Sequence, residues 1–166
     1  MVDLSHAEIL VPATPEQVMD VIADLPNYPS WSAGIGSARV LEHFDDGRPR
    51  QALLGVDMGP FQDEYVLEYE WLGNRRVDWK LVQGSLITQL EGTYTCHDNG
   101  DGTTTVGYDL SLELDLPLIG TVQQRGERQI TRSALRGLRR RVVDLVGGEV
   151  GQTEQSGEDS DSGESR

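Results

Sequence analysis

The amino-acid sequence predicts an α+β domain in which a seven-stranded, curved antiparallel sheet wraps around a long C-terminal helix and encloses an apolar interior. Between residues 35 and 116, period-two apolar runs are separated by short turn signals, which makes successive strands antiparallel neighbours. From about residue 120 to 146 the apolar spacing lengthens to that of a helix. The 166 residues, 37% of them hydrophobic, suit one domain with a sizeable core.

The first strand is expected from Leu4 to Val11, ending at Pro12. Thr14-Pro15-Glu16-Gln17 combines an N-cap, a proline at the first helical position and a glutamine at N3. Val18, Met19, Val21, Ile22 and Leu25 then form the apolar face of a short helix. Pro26 and Pro29 interrupt that pattern, and Tyr28 to Trp31 reads as a second, one- to two-turn helix before Gly34 and Gly36.

Turns are expected at Asp45-Asp46-Gly47, Met58-Gly59-Pro60, Gly73-Asn74, Gln83-Gly84 and Asn99-Gly100-Asp101-Gly102. Alternation assigns Phe61, Asp63, Tyr65, Leu67, Tyr69 and Trp71 to one face, with Gln62, Glu64, Glu68 and Glu70 in water. Val106, Tyr108, Leu110, Leu112 and Leu114 form a second such face. Val77, Trp79 and Leu81, with Leu86, Thr88, Leu90, Gly92, Tyr94 and Cys96, extend the same inner surface.

In the last helix, Ile119, Ile130, Ala134, Leu138, Val142 and Leu145 cluster on one side, and Arg125, Arg128, Arg132, Arg136, Arg139 and Arg140 lie opposite. About 27 residues at 1.5 Å each span about 40 Å, enough to cross the sheet. Gly147-Gly148 is the expected stop. The domain is therefore assigned to residues 1–147. Residues 148–166, poor in apolar side chains, read as a disordered acidic tail.

From Glu149 onward six acidic residues face only Arg166, so five of the 14 net negative charges lie in the tail. The body stays acidic, which argues against nucleic acid as a partner. Cys96 is the single cysteine, so no internal disulfide or thiolate cluster can form. His6, His43 and His97 are scattered without ligand spacing, and neither a metal nor another cofactor is expected. The opening residues lack a signal-peptide pattern and no run of about 18 apolar residues exists, so a cytoplasmic location is expected.

Four segments carry a family resemblance: Ala13-Thr14-Pro15-Glu16-Gln17-Val18, Asp24-Leu25-Pro26-Asn27-Tyr28-Pro29-Ser30-Trp31, Gly59-Pro60-Phe61-Gln62-Asp63-Glu64-Tyr65 and Gly100-Asp101-Gly102-Thr103-Thr104-Thr105-Val106. With the element order, they resemble the START-like (SRPBCC) superfamily over roughly residues 4–145. Within it the chain looks like the polyketide cyclase/dehydrase and coenzyme Q-binding branch, in the small actinobacterial single-domain type. The resemblance implies a helix-grip (Bet v 1-like) fold whose cavity accepts lipids, polyketides or quinone-like molecules. It maps no catalytic residue onto this chain.

A curved sheet closed by one helix leaves interior volume where aromatic side chains line it without meeting, and a few polar groups orient the ligand there. The candidates are Tyr65, Tyr69, Trp79, Tyr94 and Tyr108 from the strands, with Gln123, Glu127 and Ile130 from the helix. Each of the aromatic residues could equally be plain core. Glu127 falls among apolar helix positions, where a carboxylate must be paired, hydrated or shifted in pKa. Asp57 and Asp63, beside a turn, receive no role.

The first function expected is binding or transport of a hydrophobic small molecule. The alternatives are a polyketide cyclase, aromatase or dehydratase, and a protein-interaction module using the arginine face. That face, through Arg125, Arg128, Arg132 and Arg136, is also a candidate for transient contact with an anionic membrane, or for cover by the acidic tail.

Overall fold

The computed structural model describes residues 5–32, 34–58, 61–115 and 120–155, with backbone alone at residues 5, 58, 61, 120–127 and 148–155. Strand β1 (Ser5–Val11) leads into α1 (Pro15–Ala23) and a 3-10 helix (Leu25–Ser30). Six strands follow: β2 (Ile35–His43), β3 (Pro49–Met58), β4 (Phe61–Leu72), β5 (Arg76–Gln83), β6 (Ile87–Asp98) and β7 (Thr104–Leu114). Helix α2 (Gly120–Gln155) comes last. The sheet has seven strands in the order β1-β7-β6-β5-β4-β3-β2, each antiparallel to its neighbour. Hairpins link β2 through β7 in sequence, and β1 closes the far edge against β7.

Local chemistry explains the entry. Thr14 Oγ1 accepts from the Gln17 amide at 3.3 Å while the Thr14 amide donates to Gln17 Oε1 at 3.0 Å, a reciprocal cap that satisfies two groups otherwise unpaired at the start of α1. The helix expected at Tyr28–Trp31 is instead the 3-10 helix from Leu25. Pro26 and Pro29 each remove an amide donor, so a full α-turn cannot close.

Helix α2 packs on β1, β7 and α1. Thr131, Leu135, Leu138 and Val142 are at most 2% exposed there, opposite Val18, Met19, Ile22 and Val11 at 0 to 1%. Gly137 permits the closest approach: a Cβ at that position would lie 2.4 Å from the Trp31 carbonyl oxygen. Arg139 Nε donates to the Leu10 carbonyl at 3.0 Å, covering part of the free edge of β1.

Three assignments change. Ile87, not Thr88, points inward, because an irregularity in register between Ile87 and Gln89 shifts the alternation by one residue. Leu145 is 44% exposed although it lies in the apolar sector of α2, since a sector is buried only where another element faces it. The helix passes through Gly147 and Gly148 to Gln155. Glycine costs a helix about 1 kcal/mol relative to alanine, and no proline follows to remove an amide donor. The rest of the expected tail, residues 156–166, lies outside the described residues.

Candidate ligand-binding interior

The inner face of β4 to β7 carries an aromatic wall whose composition follows from register. Tyr69 pairs across strands with Trp79, Trp79 with Gly92, and Tyr94 with Tyr108. Gly92 makes the wall possible: a Cβ there would lie 2.3 Å from the Trp79 ring, so the indole rests flat on the β6 backbone. Trp79 then reaches Tyr94 and Tyr108, with ring centroids 5.2 and 5.6 Å away, and Tyr94 stacks on Tyr108 at 4.5 Å. Tyr69 lies 6.2 Å from Trp79.

The aromatic side chains therefore do meet, contrary to the expectation that they stand apart. Side chains on one face of neighbouring strands are only about 5 Å apart, so adjacent rings touch. These contacts run along the wall and pave it, rather than crossing the interior toward the helices.

Tyr28, carried in by the 3-10 helix, donates its hydroxyl to the Ile22 carbonyl and packs on Trp31, with centroids 4.7 Å apart. Burial is the main cause that pushes the phenols of Tyr28, Tyr65, Tyr69, Tyr94 and Tyr108 above their ordinary pKa. Neighbouring phenols add to the effect: Tyr69, Tyr94 and Tyr108 act on Tyr28, and Tyr65 acts on Tyr69 and Tyr108. At neutral pH the group is thus a set of uncharged hydroxyl donors. Among the described residues the hydroxyls of Tyr65, Tyr69, Tyr94 and Tyr108 have no hydrogen-bond partner.

Val11, Val18, Met19, Ile22, Leu138 and Val142 are sealed where α1, α2 and β1 meet, while Tyr65, Tyr69, Trp79, Tyr94 and Tyr108, like Val21 and Ala134, are buried with 4 to 8% of their surface left.

The helix candidates are less defined. Ile130 is half-buried against the core. The side chains of Gln123, Arg125 and Glu127 lie outside the described residues. Asp63, which received no role from sequence, has a structural one: Oδ2 accepts from the amides of Leu86 and Ile87 at 3.0 and 2.9 Å, which ties the β5–β6 loop to β4. Cys96 is buried, and its thiol is pushed up to about 12 by desolvation. Among the described residues no three His, Cys, Asp or Glu side chains converge as metal ligands. Sequence reasoning missed the part played by Tyr28, because its entry depends on how the 3-10 helix docks. Gly92 was legible as an inner-face glycine, but the indole it admits was not.

A groove of about 650 Å³ opens elsewhere, beside β2, with Ala38, Val40 and Pro26 in its lining and Arg39 and Arg48 set against Asp24 and Asp46. Its mixed charge and open form suit an enclosed apolar ligand less well than the aromatic wall does.

A curved antiparallel sheet gripping a terminal helix, with an inner face paved by aromatic rings, is a START-like helix-grip domain. The chain belongs to the family described as polyketide cyclase / dehydrase and lipid transport, whose profile matches residues 4–146. Solved structures agree on the fold. A START superfamily protein from Mycobacterium smegmatis superposes with a TM-score of 0.79 at 24% identity, covering 86% of this chain and 98% of that one. A protein of Thermus thermophilus gives 0.75 at 24% identity, over 86% and 99% of the two chains. The Zhui aromatase/cyclase from Streptomyces sp. R1128 gives 0.67 at 12% identity, over 88% and 96%. No curated protein matches. Among the described residues no helix is long and apolar enough to cross a membrane.

Proposed function

We propose that this protein binds and carries a hydrophobic small molecule, such as a lipid, polyketide or quinone-like compound, between the aromatic wall and α2, without chemistry of its own. The observation that carries this reading is the aromatic wall itself, Trp79 packed with Tyr69, Tyr94 and Tyr108 on the concave face, whose tyrosine hydroxyls have no hydrogen-bond partner among the described residues. Hydroxyl donors without partners among the described residues favour a ligand with at least one oxygen acceptor. Gln123, Glu127 and Ile130 remain candidates for the helix side of the site.

The cyclase or dehydratase reading draws on the family description. Proton transfer at neutral pH needs a group that titrates near that pH. Phenols held above their ordinary range orient a carbonyl better than they move a proton, and this favours the carrier. Loading from an anionic membrane through Arg128, Arg132 and Arg136 fits the carrier reading, with Arg125 as a further candidate.

The test is native mass spectrometry of freshly purified protein, with extraction and identification of what co-purifies. An adduct displaced by Gly92→Leu, which pushes the Trp79 ring off its seat, supports the reading. A homogeneous apo mass, together with no change in tryptophan fluorescence on titration with fatty acids, quinones and aromatic polyketides, sinks it.

A further inference from the structure

We propose that the groove beside β2 is a second ligand site, which takes a small organic carboxylate with its apolar body on Ala38, Val40 and Pro26 and its charge met by Arg39 and Arg48. The groove lies at the opposite edge of the sheet from β1 and β7, where α2 packs. None of its lining residues belongs to the aromatic wall.

The groove holds charges of both signs, but its carboxylates are already engaged. Asp24 Oδ2 accepts from Asn27 Nδ2 at 2.6 Å, and Asp46 Oδ1 accepts from the Arg48 amide at 2.9 Å, closing the β2–β3 hairpin. Glu42, close to Arg39 in the chain, faces Arg50 Nε instead, at 3.8 Å. Arg39 and His43 line the groove too, and among the described residues neither side chain has a hydrogen bond or an ion pair. The donors left open are cationic or neutral, so the unmet need is for an anion.

Arg48 is held ready for one. Its guanidinium donates to the Gly73 carbonyl at 3.1 Å and to Asn74 Oδ1 at 2.8 Å, and it lies 5.0 Å from the centre of the Trp71 ring. Trp71 is fixed in turn: its indole N–H donates to the Pro49 carbonyl at 2.7 Å, and its ring stacks on Tyr69 at 5.9 Å. The other N–H donors of Arg48 stay available, and a half-buried, anchored side chain loses little rotamer freedom on binding.

The remaining lining decides which anion fits. Ala38 and Val40 are half-buried and apolar, a surface that a bare inorganic ion would not use. Asp24 and Asp46 stand in the same groove, and they repel a phosphate dianion more than a singly charged carboxylate.

Hexanoate is the test probe, titrated into the isotope-labelled full chain, with hexanamide and hexyl phosphate as controls. The expected result is saturable movement of the amide resonances of Ala38 to Val40, His43, Gly47 and Arg48, with a Kd of about 10 mM or below. Hexanamide and hexyl phosphate should each bind at least about threefold more weakly. Arg39→Gln should weaken hexanoate at least about threefold with the far-UV dichroism unchanged, and Arg39→Lys, which keeps the charge, should restore part of the loss. Movement confined to the wall, at Trp79, Tyr94 and Tyr108, puts hexanoate in the interior and overturns the groove site. Equal affinity for hexanoate and hexanamide, or for wild type and Arg39→Gln, overturns it as well, and tighter binding of hexyl phosphate overturns the assignment to a carboxylate.

Discussion

Raising the pH is the most incisive perturbation of this fold. All five tyrosines of the chain are buried on its interior side, and desolvation raises every one of their phenol pKa values. Folded, the phenols stay neutral; unfolded, they release protons above pH of about 10. The native state then binds more protons than the unfolded state: the buried Cys96 thiol, raised from 9.0 to about 12, begins the loss of stability near pH 9, and the phenols add to it above about pH 10 as the pH climbs toward the raised values. Each phenol that ionises only on unfolding contributes a slope of about 1.4 kcal/mol per pH unit, and five together about 7 kcal/mol per unit. Against a typical stability of about 5–15 kcal/mol, the domain unfolds within about one to two pH units above that threshold. Tyrosinate absorbance and far-UV circular dichroism, followed together, should show one coincident transition. With the Cys96 thiol as a sixth contributor, the slope in Tyr94→Phe should fall by about one sixth. A tyrosine that titrates at its ordinary value while the dichroism stays native would refute the placement of that hydroxyl in the dry interior.

Three further outcomes are expected. Leu138→Ala removes a side chain that is 0% exposed between α2 and the sheet and should cost about 2–5 kcal/mol in denaturant unfolding. Gly137→Ala and Gly147→Ala should differ in sign: the first drives a methyl to 2.4 Å from the Trp31 carbonyl, whereas the second meets nothing within 4 Å. Denaturant midpoints should place Gly137→Ala about 1–3 kcal/mol below wild type and Gly147→Ala up to about 1 kcal/mol above it. His6, whose ring nitrogens face Asp109 Oδ1 at 2.6 Å and Glu8 Oε1 at 3.3 Å, has its pKa raised by the bond to Asp109 first and to Glu8 second. Its stabilisation is present below pH 6.5 and lost as the pH rises through the folded value, so thermal midpoints should drift down slightly from pH 6 to 8 in wild type and stay flat in His6→Gln.

The family motifs and the alternation of Tyr65, Leu67 and Tyr69 or of Tyr108, Leu110 and Leu112 made the fold legible, because period-two burial depends on nothing beyond the pleat. The capping of α1 was equally local, being written in Thr14 and Gln17. The inward turn of Ile87 was not, since a register irregularity is settled by pairing with β7 rather than by β6 itself.

The sequence by itself determined the order of elements, the antiparallel sheet, the amphipathic terminal helix and the set of aromatic residues on one face. These follow from periodicity and turn chemistry acting over a few residues. Only the tertiary structure decided that Gly92 seats the Trp79 indole, that Tyr28 enters the interior from the 3-10 helix and that Gly137 brings α2 onto Trp31. Each is a contact between residues distant in the chain, set by how closely two backbones approach, and no local pattern encodes that distance.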